Sequence, residues 1–228
     1  MGSASALLES PLRGEWVAIN SPGGGDAGHG TDFFGQRHAI DFVQMDPSGT
    51  WYYPGGGRAL VCHLTSGLPA SAFYCWGQPV YAAAPGRVIK SQDGWPDRAR
   101  VQLALELVRA ALVPARGFTI HDFRPLAGNC VLVEGTDGVM VYGHLRNGTV
   151  QVREGQQVVE STLLGEVGNS GNTTMPHLHF HLMDGGDPFT ARGVPFEFRE
   201  FERWTGGEWA MVKRAIPRTA DRVRFRAA

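Results

Sequence analysis

Pro176-His-Leu-His-Phe-His-Leu182 alternates three histidines with apolar residues, a pattern typical of a β-strand with one buried face. In a strand, side chains two residues apart emerge on the same face. The apolar residues would therefore face the core and the histidines the opposite side: Leu178, Phe180 and Leu182 against His177, His179 and His181. Three imidazoles on one face would repel one another if charged and would gain little by packing. The pattern therefore favours metal binding or acid–base chemistry on the histidine face.

Short strands separated by turns surround this segment. Residues 129–134 and 139–142 are apolar runs joined by the turn Gly135-Thr-Asp-Gly138, and further short runs follow to residue 167. The chain also contains 31 glycines and 14 prolines, which favour frequent turns. Strands spaced roughly 8–12 residues apart are typical of an antiparallel sandwich or barrel. We therefore expect an all-β, mainly antiparallel fold.

One helix, near residues 97–113, interrupts the strand pattern. Asp97 can cap it, Pro114 follows it, and Leu103 and Leu107 recur at helical spacing. We expect it to be an insertion in a single domain that spans residues 1–228. The divisions of that domain are a motif-bearing core at about 36–45 and 78–183, a helical insertion at about 91–125 and a C-terminal extension at 190–228.

The charge balance and hydropathy of the 228 residues exclude several classes of partner. Lys and Arg total 21 and Asp and Glu total 22, a net charge of −1, so no electrostatic feature predicts nucleic-acid binding. No apolar run reaches the roughly 20 residues of a membrane span, and no signal peptide is visible. Cys62 and Cys75 could pair in an oxidising compartment, although free buried thiols are as good an interpretation for these cysteines and for Cys130.

Two further segments supply candidate ligands. His144 ends the strand-like run Val141-Tyr-Gly-His-Leu145, and Asp41 lies in Arg37-His-Ala-Ile-Asp-Phe42. A hydrolytic zinc site needs about three nitrogen or oxygen ligands, an open position and a nearby base. The chain offers this composition on different strands. His63 and His121 lie in loop-like sequence without a partner, and we expect them to be structural.

These motifs resemble, in the same order, those of the lysostaphin/LytM-type zinc metallopeptidases, which cleave peptide bonds in bacterial peptidoglycan. The matching segments are 80–88, 142–145, 155–158, 164–168, and 168–172 followed by 176–180. The resemblance implies a lysostaphin-like β domain with an open groove, one zinc ion, and a peptide or peptidoglycan substrate. It also implies a location in the cell envelope or outside the cell. We expect a monomer.

The resemblance also implies roles for individual residues. By position, Asp41 and His179 resemble the family's zinc ligands, and His144 and His177 its two non-ligand catalytic histidines. The implied mechanism is attack of a zinc-activated water on a peptide carbonyl, with the two histidines orienting the water and stabilising the oxyanion. Two alternatives are a catalytically silent module that binds or activates another wall hydrolase, and a metallopeptidase for small soluble peptides.

The sequence departs from the family pattern at the third ligand. The family has H-x-G-x-D, but Arg37 stands four residues before Asp41, and His38, three residues before it, would face the opposite way in a regular strand. We expect His29, in a glycine-rich loop, to supply the imidazole. A bulge that brings His38 round is the alternative. The second departure is His181, where the family has an acidic residue, and this histidine is expected either to support a ligand or to replace one.

Overall fold

A computed structural model of the protein describes residues 5–25, 28–112 and 122–226, and β-strands dominate it. The strands are β1 Ala6–Leu8, β2 Gly14–Ile19, β3 Ile40–Val43, β4 Leu68–Pro69, β5 Pro79–Tyr81, β6 Gly86–Gln92, β7 Arg100–Val101, β8 Asn129–Gly135, β9 Gly138–Leu145, β10 Gln157–Val158, β11 Leu163–Glu166, β12 Leu178–Met183, β13 Phe196–Trp204, β14 Trp209–Ala215 and β15 Arg222–Phe225. The α-helices are α1 Gly56–Leu64, α2 Leu103–Leu112 and α3 Arg124–Ala127, with 3₁₀ turns at Phe33–His38 and Ala70–Ala72.

The main sheet has eleven strands, with the order β1-β13-β15-β2-β3-β12-β9-β8-β6-β10 and β14 paired to β13. Only the β1–β13 pair is parallel among the described strands of this sheet. The predicted mainly antiparallel β fold is therefore confirmed. Strand β12 lies near the middle of the sheet, between β3 and β9, where both of its edges are hydrogen-bonded.

The apolar face of β12 packs into the main hydrophobic core. Leu178, Phe180 and Leu182 are at most 1% exposed. The ring of Phe180 stacks on Phe198 at a centroid distance of 6.2 Å and meets Phe196 edge-on at 5.3 Å. Burial of each such side chain contributes about 1.5–3 kcal/mol to stability. This packing fixes which way the strand faces, so the three histidines must point to the other side of the sheet.

The helix near residues 97–113 is present as α2, but it begins six residues later than Asp97. Arg100–Val101 instead pairs with Leu68–Pro69 in a small antiparallel sheet. The Asp97 carboxylate does not cap the helix, because it accepts hydrogen bonds from the main-chain nitrogens of Asn147 and Asn169. Residue 113, the last of the predicted helix, lies outside the described residues.

Helix α1 was not predicted from the sequence. It follows Gly55, whose φ of 101° is left-handed, and it begins with two glycines that weaken any helical signal. All three cysteines are free, so Cys62 and Cys75 do not pair. Burial raises the pKa of the thiols of Cys75 and Cys130 to about 12, which makes them unreactive. Within the described ranges, no helix combines the length and apolar character needed to cross a membrane.

Candidate metal centre and neighbouring histidines

The pairing of β3 with β12 brings Asp41 beside His179. The two residues are directly opposite in the register, and His179 Nδ1 lies 2.8 Å from Asp41 Oδ1. Asn20 donates a hydrogen bond from Nδ2 to Asp41 Oδ2 at 2.8 Å. Burial alone would raise the pKa of Asp41, but the charge of His177 and the close imidazoles of His177, His179 and His29 hold it well below its ordinary value. Asp41 is therefore a buried, ionised acceptor at the centre of the site.

His29 reaches the same carboxylate from the glycine-rich loop. Its Nε2 lies 3.3 Å from Asp41 Oδ2, and its ring centroid is 4.9 Å from that of His179. The flanking Gly28 and Gly30 have φ of 54° and 65°, left-handed values that glycine adopts without strain and that turn the loop toward β3. Each of the three residues His29, Asp41 and His179 offers one donor atom, and the three atoms lie within 4.8 Å of one another. The structure thus brings together the three residues predicted as ligands.

His38 lies elsewhere. It ends the 3₁₀ turn Phe33–His38 and lines a separate cavity with Pro22, Pro195 and Ile216. No bulge turns it toward Asp41, because β3 begins at Ile40 and pairs in regular register with both neighbouring strands.

His144 and His177 lie next to this cluster. Their ring centroids are 4.7 Å apart, and His177 Nε2 is 3.5 Å from Asp41 Oδ1. His144 is the penultimate residue of β9 and has a φ of 59°, a left-handed conformation that is uncommon for a residue with a side chain. Its Nδ1 is 2.9 Å from the carbonyl oxygen of Ser170. Since a carbonyl can only accept, His144 Nδ1 carries the proton and Nε2 is left as the basic nitrogen.

The environments of these two histidines shift their pKa values in opposite directions. Burial, together with the neighbouring charges of His177 and His179, holds the pKa of His144 well below its ordinary value. Burial acts on His177 as well, but the carboxylate of Asp41 outweighs it and raises the pKa of His177. Opposed shifts in adjacent titratable groups are typical of acid–base pairs in active sites. His144, His177 and His179 also form a second group whose donor atoms lie within 4.8 Å of one another.

His181 contacts the far side of the His179 ring. Its Nδ1 lies 3.0 Å from His179 Nε2, and the two ring centroids are 5.1 Å apart. Because His179 Nδ1 faces Asp41, its Nε2 faces His181, and the ring is held at both nitrogens. This geometry fits a residue that orients a ligand rather than one that replaces it. Burial holds the pKa of His181 well below its ordinary value, so its imidazole is neutral.

A cavity of about 230 Å³ opens over these side chains. Its other wall is apolar and is formed by residues of five segments: Phe34, Phe123, Leu126, Leu132, Val141 and Met183. Sequence reasoning missed this wall. It also missed Asn20, which bonds to Asp41 21 residues away, and Thr173, which bonds to His177 only four residues away. His63 lies outside the site, with Nδ1 3.2 Å from the Tyr53 hydroxyl, and His121 is not among the described residues.

The donor set fits zinc. Two imidazole nitrogens and one carboxylate oxygen are ligand types that Zn²⁺ prefers, and three protein ligands leave a fourth position open. His29 Nε2 is buried and makes no hydrogen bond within the described part of the chain, although it is only 3.3 Å from a carboxylate oxygen. A buried nitrogen of this kind needs a partner, and a metal ion between it and Asp41 would supply one.

Residues 108–191 match the model of peptidase family M23. The chain is 38% identical over 68 residues to the peptidoglycan DD-endopeptidase ShyA of Vibrio cholerae, a match that covers 29% of this chain and 15% of ShyA. It is 44% identical over 59 residues to the cell division protein DipM of Caulobacter vibrioides, covering 25% of this chain and 9% of DipM. The matches therefore span no more than 15% of either relative.

Solved structures of the same type show low overall similarity. A catalytic-domain mutant of the prophage-encoded M23 protein EnpA from Enterococcus faecalis is 19% identical, covering 69% of this chain and 73% of that one, with a TM-score of 0.37. The catalytic domain of lysostaphin from Staphylococcus simulans is also 19% identical, covering 68% and 73%, with a TM-score of 0.36. The family match includes His144, His177 and His179, whereas Asp41 and His29 join them only through the fold. The resemblance predicted from the motifs is confirmed: over residues 108–191 this chain is similar to peptidase family M23, to which lysostaphin/LytM-type peptidases are also similar.

Proposed function

We propose that the protein is a zinc-dependent metalloendopeptidase that hydrolyses peptide bonds in bacterial peptidoglycan. The observation that carries the proposal is the convergence of His29, Asp41 and His179 beside His144 and His177, from segments far apart in the sequence. The family match and the name of one relative, a peptidoglycan DD-endopeptidase, support the substrate class.

His29, Asp41 and His179 would hold one zinc ion. When bound, zinc supplies a Lewis acid that polarises a carbonyl and lowers the pKa of water. Asn20 fixes the second oxygen of Asp41, and His181 fixes the ring of His179, so two of the three ligands are held in place by the protein itself. Support of this kind raises metal affinity, because the ligands lose little conformational freedom on binding.

His144 and His177 would handle protons and charge at the reacting carbonyl. Each keeps Nδ1 toward an acceptor of the protein, so the Nε2 atoms remain to accept a proton or to donate a hydrogen bond. Their burial excludes most water, which strengthens both interactions. We further propose that the enzyme acts as a monomer in the cell envelope, where peptidoglycan lies.

Elemental analysis of the purified protein tests the metal assignment. We expect about one zinc per chain, lost in His179→Ala and in His29→Ala and retained in the matched control His38→Ala. Loss of zinc in His38→Ala with retention in His29→Ala would overturn the ligand assignment.

Digestion of purified peptidoglycan, with mass analysis of the released peptides, tests the activity. We expect new peptide termini with the parent protein and none with His144→Ala or His177→Ala. A zinc-free parent that still binds peptidoglycan without cleaving it would refute the enzyme and favour the silent binding module.

A further inference from the structure

One loop, residues 168–173, orients both proposed catalytic histidines. The carbonyl oxygen of Ser170 lies 2.9 Å from His144 Nδ1, and Thr173 Oγ1 lies 2.9 Å from His177 Nδ1. The Thr173 hydroxyl donates to the carbonyl of Met175 at 2.6 Å, so toward His177 its oxygen acts as an acceptor. His177 Nδ1 also lies 2.8 Å from the carbonyl oxygen of Met175, just after the loop. The loop therefore sets the position and tautomer of His144, and together with Met175 it sets those of His177, so a shift of the loop would move both rings.

Arg98 clamps this loop from outside the site. Its guanidinium donates from Nη1 to the carbonyl of Gly171 and from Nη2 to that of Thr173, both at 2.8 Å. Its main-chain nitrogen donates to Asn169 Oδ1 at 3.1 Å, and the preceding Asp97 accepts from the main-chain nitrogen of Asn169 at 2.9 Å. A guanidinium that spans two carbonyls fixes their separation, because its donors are held in one plane.

Glu106 on α2 fixes Arg98 in turn. The side chain of Glu106 is 1% exposed, its Oε2 lies 2.8 Å from Arg98 Nε, and its Oε1 lies 2.7 Å from Arg109 Nη1. A buried carboxylate is costly unless it is paired, so this ion pair favours an Arg98 side chain directed at Glu106, although Nε and Oε2 are not aligned for a hydrogen bond. Helix α2 is therefore connected to the site by a chain of contacts: Glu106 contacts Arg98, Arg98 contacts the loop, and the loop contacts both histidine rings.

We propose that Arg98, held by Glu106, is a positioning residue for His144 and His177. The inference rests on the proposed function, since it takes those two histidines as catalytic. Arg98 bonds to loop carbonyls and does not ligate the candidate metal, so its loss would leave the ligand set intact. It acts on turnover through the placement of the rings, and a misplacement of about 1 Å costs on the order of 10²-fold in rate.

The test compares Arg98→Met, Arg98→Lys and Glu106→Gln with the matched control Arg100→Met. Arg100 also donates to main-chain carbonyls, those of Ser66 and Gly67, but these belong to a different loop. We measure kcat and KM on soluble peptidoglycan fragments, zinc per chain, and the ¹H–¹⁵N ring signals of the histidines at a fixed pH in the metal-free protein. The ring signals report the tautomer directly and need no activity.

We expect Arg98→Met and Glu106→Gln to lower kcat by about 10–100-fold, with KM changed by less than about twofold and zinc retained. The Nδ1–H signals of His144 and His177 should shift or broaden in both. Arg98→Lys should recover part of the rate, since an ammonium can reach one carbonyl but cannot span two. Arg100→Met should keep the parent values.

Native ring signals in Arg98→Met, or an equal loss of kcat in Arg100→Met, would overturn the proposal. If Arg98→Met fails to fold, the ring signals of His144 and His177 in Arg98→Lys and Glu106→Gln test the proposal instead, and native signals in both would overturn it. If the parent cleaves no peptidoglycan while its ring signals respond to Arg98 as expected, the proposed function fails and the positioning by Arg98 stands.

Discussion

Replacing Asp41 with asparagine should destabilise the metal-free protein and abolish zinc binding. The carboxylate has two partners at 2.8 Å, Asn20 Nδ2 and His179 Nδ1, and two imidazole nitrogens at 3.3 and 3.5 Å, on His29 and His177. Hydrogen bonds to charged groups contribute about 1.5–3 kcal/mol each, so the two short bonds amount to about 3–6 kcal/mol. Relief of the buried charge offsets part of this. We expect a net loss of about 2–4 kcal/mol in the free energy of unfolding.

Urea unfolding at pH 7.5 in the presence of a chelator measures this loss, and Asp137→Asn is the matched control. Asp137 lies in the exposed turn between β8 and β9, so its amide variant should stay within about 0.5 kcal/mol of the parent. With zinc added in excess, the parent should gain stability and Asp41→Asn should not. An Asp41→Asn variant within about 0.5 kcal/mol of the metal-free parent would refute the interpretation of Asp41 as the ionised centre of the site.

Two further predictions concern the histidines. His181→Leu removes the hydrogen-bond partner of His179 Nε2 and should weaken zinc binding by about 10–100-fold in a chelator competition. His181→Gln, whose amide can donate or accept, should lose less, and equal affinity in all three proteins would contradict the orienting role. The metal-free protein should lose stability as the pH falls below about 6.5, because burial lowers the folded-state pKa of His144, His179 and His181 and the unfolded chain therefore binds more protons. The raised pKa of His177 makes its contribution to stability grow as the pH falls, but it is one histidine against three. Urea unfolding that gave the same stability at pH 7.5 and pH 5 would contradict this prediction.

Strand β12 and the candidate site residues beside it could be predicted from the sequence, because both leave a signal in the periodicity of the strand or in short motifs. The alternation at 176–182 predicts β12 with its correct buried face, and the structure brings His29 to Asp41 as expected from the flexible loop. These features depend on residues close in the sequence or on a single contact, so they can be predicted from one sequence.

Features that depend on distant partners could not be predicted in this way. Asp97 has the residue type of a helix cap, but its carboxylate accepts from Asn169, 72 residues away, and α2 begins later. Arg98 belongs to no motif, and the two carbonyls that its guanidinium contacts lie 73 and 75 residues away in the chain. Helix α1 could not be predicted because it begins with two glycines, which have low helix propensity. Tertiary packing stabilises the helix in the folded protein.

The pairing of β3 with β12 determines the stage of synthesis and folding at which the candidate metal site forms. Asp41 and His179 are 138 residues apart, and they meet only when the central strands of the sheet have paired in register. Contacts of such long range form late, because a large loop must close first. A partly folded chain in which β3 has not yet paired with β12 would lack the carboxylate of Asp41 beside His179 and would bind zinc more weakly. Hydrolytic potential would then appear only after β12 has been made and has paired with β3.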